Sequence, residues 1–331
     1  MSVERIVWQG WPALQLRADD AAIVVVPELG AKIVSLTLSG QDADIIWQDE
    51  TRPLVPLSYG DKFGRFDASG FDECFPTIGE CACPDYPWEG VVMPDHGEVW
   101  TLPWRLIPDP EAIHTVVHGV RFPYELSRRI RTAPRRFVIE YLARNLSGFP
   151  IRYLWSAHPL LALSEGMRVL LPGEPLGHVV FAAGGRLASP DASSGKVRWP
   201  WAPGPDGTSV DCSLMGPREW RANDKLCMET PADGWCALFD PSRRRYCAFR
   251  MSPEETPFVA ICANFGWYPP EGRAAYWVAI EPCTGYPDSL SEAAAAGRAR
   301  ILPPMGEVRW ATEIHVGSAS TAREVADRMS G

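Results

Sequence analysis

Short apolar runs separated by turn residues dominate the chain. Ala22-Ile23-Val24-Val25-Val26 is followed by Pro27-Glu28-Leu29-Gly30 and then by Lys32-Ile33-Val34-Ser35-Leu36-Thr37-Leu38. Runs of this length, rich in β-branched residues and bounded by Pro and Gly, predict strands. Tyr124 to Ile130 and Phe137 to Arg144 flank Thr132-Ala133-Pro134 and read as a hairpin, with Phe137, Ile139 and Tyr141 alternating against Val138, Glu140 and Leu142. Glu307 to Val316 alternates with period two over its whole length, which predicts a strand with one buried and one wet face. Helical signals are confined to Asp288–Arg300, an alanine run behind possible N-caps at Asp288, Ser289 or Ser291, and to Thr321–Met329. The loop-like stretch from Gly184 to Gly207 is rich in Gly, Pro and Ser.

These elements describe an all-β chain built as a large antiparallel β-sandwich, read as one domain over residues 1–331. Thirty-two prolines, about twice the usual ~5% share, suit many short strands joined by long loops. A length of 331 residues with 46% hydrophobic content supports a substantial core. The net charge of -9 argues against a general nucleic-acid partner, which needs a basic face. No apolar run is long enough to span a membrane, and no secretory leader is evident at the start, so the expected setting is cytoplasmic. Nine scattered cysteines fit a reducing compartment. Cys81-Ala82-Cys83, with Cys74 and His96 nearby, lacks the paired two-residue spacing of a zinc ribbon, so no metal and no other cofactor is expected.

Chemistry concentrates in three places. Ile280-Glu281-Pro282-Cys283-Thr284-Gly285-Tyr286-Pro287-Asp288-Ser289 carries a carboxylate from an apolar strand into a turn-rich loop. Ser156-Ala157-His158-Pro159-Leu160 places a histidine in a comparable setting, and Pro94-Asp95-His96-Gly97-Glu98-Val99-Trp100 offers a second. A histidine before a proline is more often structural than catalytic when it stands alone. Paired with a carboxylate that ends a strand, it becomes half of an acid–base couple, since carboxylates are seldom buried without a partner or a role.

Glu281 with Pro287-Asp288-Ser289 resembles the catalytic-base motif of the aldose 1-epimerase (galactose mutarotase-like) superfamily, and His158-Pro159-Leu160-Leu161-Ala162-Leu163 resembles its catalytic-acid motif. Asp95-His96-Gly97 is similar to the element whose histidine contacts the sugar. Val26-Pro27-Glu28-Leu29-Gly30-Ala31-Lys32-Ile33 and Leu302-Pro303-Pro304-Met305-Gly306-Glu307 resemble the opening and closing strand segments, so the similarity runs from about residue 5 to 316. Leu160, Leu161 and Ala162 stand where aromatic and amide residues are usual, and Glu98 stands where a second glycine is common.

The resemblance implies a galactose mutarotase-like supersandwich that interconverts the anomers of a free or modified aldose without a cofactor. Glu281 would take the proton from the C1 hydroxyl. His158, kept as imidazolium by a nearby carboxylate, would protonate the ring oxygen. His96, Arg65 and Asp72 would contact the monosaccharide, Arg65 because it precedes His96 where the superfamily often has a substrate arginine. The bland readings are a solvated loop from Gly60 to Asp67 for Arg65, and a surface loop for Asp72. Arg128, Arg129, Arg131, Arg135, Arg136 and Arg243-Arg244-Arg245 read as solvated hairpin faces in preference to a phosphate or sulfonate site. Among the fourteen tryptophans, Trp88 and Trp267 are candidates for a sugar-stacking floor, the rest being core. The competing functional class is a carbohydrate-binding protein on the same fold. A third, an isomerase or lyase acting on a uronic or sulfonated sugar, would require a cation in the same cleft.

Overall fold

The computed structural model describes residues 3–66, 69–190, 196–269 and 275–330. Two antiparallel sheets, of thirteen and eight strands, carry the architecture. At the centre of the larger sheet seven strands lie side by side in the order Lys32–Leu38, Phe71–Cys74, Ser156–Ala162, Tyr276–Cys283, Phe258–Phe265, Ala222–Glu229 and Leu176–Ala183. The smaller sheet is built around the hairpin Tyr124–Ala133/Arg136–Asn145 and the strand Glu307–Ser318.

Alternation fixes what each face does. Ala157, Leu161, Val278, Ile280, Ile261, Ala263 and Leu226 turn inward and join Ile130, Phe137, Ile139 and Ile314 of the second sheet in the main core. Residues one position out of phase, including Leu160, Ala279 and Cys262, form a separate apolar cluster with Phe63, Trp100 and Trp277. The candidate site side chains His158 and Glu281 share that second face.

Most sequence-predicted elements are present. The opening strands are Ala21–Val26 and Lys32–Leu38, and Glu307–Ser318 buries Trp310, Thr312, Ile314 and Val316 in strict alternation. The hairpin is longer than its hydrophobic pattern suggests, because Ala133 pairs directly with Arg136 and only Pro134-Arg135 make the turn. Ser289 proves to be the N-cap, accepting from the Glu292 amide, and the helix stops at Ala295 before Gly297 at φ +68°. The terminal helix Ala322–Ser330 packs Val325 and Met329 against Trp235, Phe239 and Tyr246. The stretch from Gly184 to Gly207 contains short strands at Val197–Arg198 and Trp201–Pro203, while 191–195 lie outside the described residues.

Two arginines depart from the solvated-face reading. Arg128 is wholly buried between the sheets, where its guanidinium meets Glu73 at 2.9 Å and also donates to the Ala31 carbonyl. Arg245 is buried too and donates to the Ala43 carbonyl at 2.5 Å. Strand phase decides both cases, since each position faces the interior and the side chain stays there only because it finds carboxylate or carbonyl partners. Arg129 and Arg131 do sit on a partly solvated face, paired with Asp109 and Glu140.

Candidate active site

Strand pairing brings the distant motifs together. Ser156 lies opposite Cys283 and Leu160 opposite Ala279, so His158, midway between, faces Glu281 across two adjacent strands. On its other side His158 pairs with Asp72, and Ile33 pairs with Phe71, which sets Lys32 opposite Asp72. A polar row therefore crosses four neighbouring strands as Lys32, Asp72, His158 and Glu281. Ala260 continues the row beyond Glu281, and its single methyl leaves room above the sheet.

All four polar members are buried. Lys32 forms an ion pair with Asp72 at 3.3 Å and donates to the Ser69 carbonyl at 2.7 Å. Asp72 is thus a strand residue in the interior, which overturns its surface-loop reading. Burial lifts Glu281 above the ordinary carboxylate pKa, the Lys225 ammonium pulling it back down and Asp288 pushing it up. Lys225 lies 3.1 Å from Glu281 Oε2, yet its hydrogen bonds go to Asp288, 3.0 Å to each carboxylate oxygen. Neither oxygen of Glu281 has a well-aligned hydrogen bond among the described residues.

His158 likewise has an unpartnered ring nitrogen, Nδ1. Its pKa is held well below the ordinary imidazole value, by burial first and then by His96, Lys225 and Lys32. The expectation that a nearby carboxylate keeps it as imidazolium fails for this reason. Glu281 is already engaged by Lys225, and burial is the first cause acting on His158.

His96 approaches from a loop. Its ring centroid lies 4.9 Å from that of His158, and its Nδ1 meets Asp95 Oδ1 at 3.0 Å. The backbone there is left-handed, φ +60° at His96 and +75° at Gly97. A β-carbon on Gly97 would lie 2.2 Å from the Phe75 carbonyl oxygen, so the close approach that seats His96 demands glycine. Glu98, in place of a second glycine, accepts from Tyr59 Oη at 2.8 Å and from the Arg121 amide at 2.9 Å. One segment, Thr77–Gly79, braces two site loops. The Ile78 carbonyl accepts from the His96 amide, and the amides of Ile78 and Gly79 donate to the Asp288 carbonyl.

Phe63 covers the two histidines, stacked on His96 at 4.2 Å and edge-on to His158 at 4.9 Å. Asp95 accepts from the Phe63 amide and Tyr268 donates to its carbonyl. Arg65, two residues on, is exposed, with no ion pair among the described residues, and Asp67 lies outside them. The structure thus gathers His96, His158, Glu281 and Asp72 while Arg65 stays at the periphery. Trp88 packs against Phe122 and Phe149, and Trp267 is 39% exposed, so the aromatic lying on the histidines is Phe63.

Sequence reading passed over Lys225 and Phe63 and named Asp288 only as part of a motif and a possible cap. One signal for Lys225 was present: the chain has only four lysines, and this one sits inside the strand-like run Ala222–Glu229.

No family model matches the sequence and no curated protein matches it. Solved structures do. A Klebsiella pneumoniae protein proposed to be an aldose 1-epimerase superposes with a TM-score of 0.73 at 14% identity, covering 99% of this chain and 88% of its own. A galactose mutarotase related enzyme from Lactobacillus acidophilus gives 0.66 at 16% identity, with 93% and 98% covered. A galactose mutarotase-like protein from Lactobacillus casei gives 0.64 at 14% identity, with 92% and 100% covered. The two large antiparallel sheets and these superpositions agree that this chain has a galactose mutarotase-like β-sandwich fold.

Proposed function

We propose that the protein is a mutarotase that interconverts the α and β anomers of an aldose by acid–base ring opening. The observation that carries this is that His158 lies opposite Glu281 on the adjacent strand, each with a polar atom that has no hydrogen-bond partner among the described residues, in a buried site. Fully satisfied groups would serve packing, whereas these two keep hydrogen-bonding capacity in reserve.

Anomerisation needs one proton removed from the C1 hydroxyl and one delivered to the ring oxygen, with no redox change. Such a pair holds a single proton between its two titrations, and either group can carry it. When His158 carries it, Glu281 is the base at the C1 hydroxyl and His158 the acid at the ring oxygen. After rotation about C1–C2 the open chain closes on its other face and the proton transfers reverse. Positioned proton transfer of this kind contributes roughly 100- to 10,000-fold at each group. His96, steadied by Asp95, is placed to hydrogen-bond a sugar hydroxyl, and Asp72 supports His158 from the neighbouring strand. Arg65 is assigned an approach from the rim. No step requires a metal or an organic cofactor, and the partner is a monosaccharide, free or modified.

Saturation-transfer NMR of anomer exchange, across free, phosphorylated and sulfonated aldoses, tests the reading. Accelerated exchange for one sugar class, reduced at least ~100-fold in both Glu281→Gln and His158→Asn, is expected. Sugar binding without acceleration would make the protein a carbohydrate-binding module instead.

A further inference from the structure

We infer that Lys225 is a positioning residue for the proposed reaction, holding Glu281 ionised and aimed at the substrate while Asp288 holds Lys225. The inference rests on the mutarotase reading and deepens it.

Geometry carries the argument. Lys225 lies in strand Ala222–Glu229, two strands away from Glu281, with Phe258–Phe265 between them. It spans that distance because the intervening positions are small, Ala260 opposite Glu281 and Cys262 opposite Lys225. An arm that crosses a whole strand to reach a carboxylate loses rotamer freedom, and it does so only where strong partners compensate. Both partners are carboxylates: Asp288 accepts from the ammonium through both oxygens at 3.0 Å, and Glu281 Oε2 lies at 3.1 Å. Asp288 is itself fixed, its carbonyl taking the Ile78 and Gly79 amides. Lys225 is therefore clamped by Asp288 and lends charge to Glu281 without using up its hydrogen-bonding capacity.

The consequence is a choice of where the shared proton rests. The groups facing Glu281 are Lys225, Asp288, His96 and the cross-strand His158, with the neutral thiols of Cys74 and Cys262 nearby. Lys225 disfavours a proton on either catalytic group, but it is in contact with Glu281, and for His158 it ranks behind burial and His96. The closer group feels it more, so the proton is displaced from Glu281 toward His158. That is the protonation state in which Glu281 acts as base.

The test reads ionisation directly and needs no turnover. The Glu281 carboxyl is followed by carbon-13 NMR against pH, assigned by its disappearance in Glu281→Gln. In Lys225→Met its midpoint is expected to rise by about one pH unit or more, with Lys225→Arg returning most of the way to the parent value. Reciprocally, nitrogen-15 NMR of Lys225 in Glu281→Gln shows its titration moving down, a measurement that stands even if Lys225→Met does not fold. Unmoved titrations would overturn the inference whatever the sugar assay gives. Titrations that move in a protein without anomer exchange would leave the ion pair standing and remove the mutarotase reading.

Discussion

Two buried acid–cation pairs lie on opposite faces of the same sheet, and they differ in completeness. On the core face, Glu73 receives Arg128 at 2.9 Å, Tyr141 Oη at 2.9 Å and Trp155 Nε1 at 2.8 Å. On the open face, Glu281 has one ammonium at 3.1 Å, shared with Asp288, and no well-formed hydrogen bond among the described residues. Burial raises the pKa of both carboxyls, and a neighbouring cation opposes it in each, Arg128 for Glu73 and Lys225 for Glu281. Both oxygens of Glu73 are engaged, and its Oε1 joins the two sheets, since Arg128 and Tyr141 come from the other one. The contrast shows how a sheet can carry a fully engaged and a poorly satisfied carboxylate at once: satisfaction of the oxygens, more than burial or charge, tells them apart.

The sharpest way to break the comparison is to remove a cation. Arg128→Met leaves Glu73 buried and unpaired and is expected to cost about 3–5 kcal/mol in urea unfolding. A loss below 1 kcal/mol would mean that the core pair is not what holds the sheets together. A finer cut neutralises each carboxylate in turn. Glu73→Gln, which unsettles three donors, is expected to cost about 1–3 kcal/mol, while Glu281→Gln, which relieves a poorly satisfied buried charge, leaves stability within about 0.5 kcal/mol of the parent or above it. Equal losses in the two variants would erase the distinction.

The last effect, absent at neutral pH, concerns His158. Its folded pKa lies below the unfolded value near 6.5, so the stability it contributes is complete above that pH. As pH falls below 6.5 the unfolded chain takes up a proton that the folded one refuses. The parent should then lose stability relative to His158→Gln by up to about 1.4 kcal/mol per pH unit until the folded imidazole titrates. Parallel stability curves for the two proteins between pH 7.5 and 5 would show that His158 is not held neutral.

Much of this was legible in the chain because local signals and final environment coincide. Period-two alternation located Glu307–Ser318, and the turn residues around Pro27-Glu28-Leu29-Gly30 separated the first buried strands. His158 and Glu281 were readable because each ends or interrupts an apolar run with a group that has little reason to be there. The burial of Arg128 and of Asp72 was not, since a charged residue among charged neighbours carries no mark of the partner that will bury it. Lys225 was harder still. Its role depends on side chains from the Phe258–Phe265 strand being small and on Asp288 lying across the sheet, facts that exist only after three segments distant in sequence have paired.

Asp72 and Glu73 are neighbours in a four-residue strand, yet one belongs to the site and the other to the core. Together they work as a parity check on the fold. A slip of one residue in Phe71–Cys74 would, depending on its direction, either set the aspartate in the glutamate's place, one methylene shorter than the span to Arg128 and Tyr141 requires, or deliver the longer glutamate against Lys32. Because both faces register the error, the sheet has no neutral misalignment, and the spacing around His158 inherits its accuracy from a constraint that assembly itself enforces.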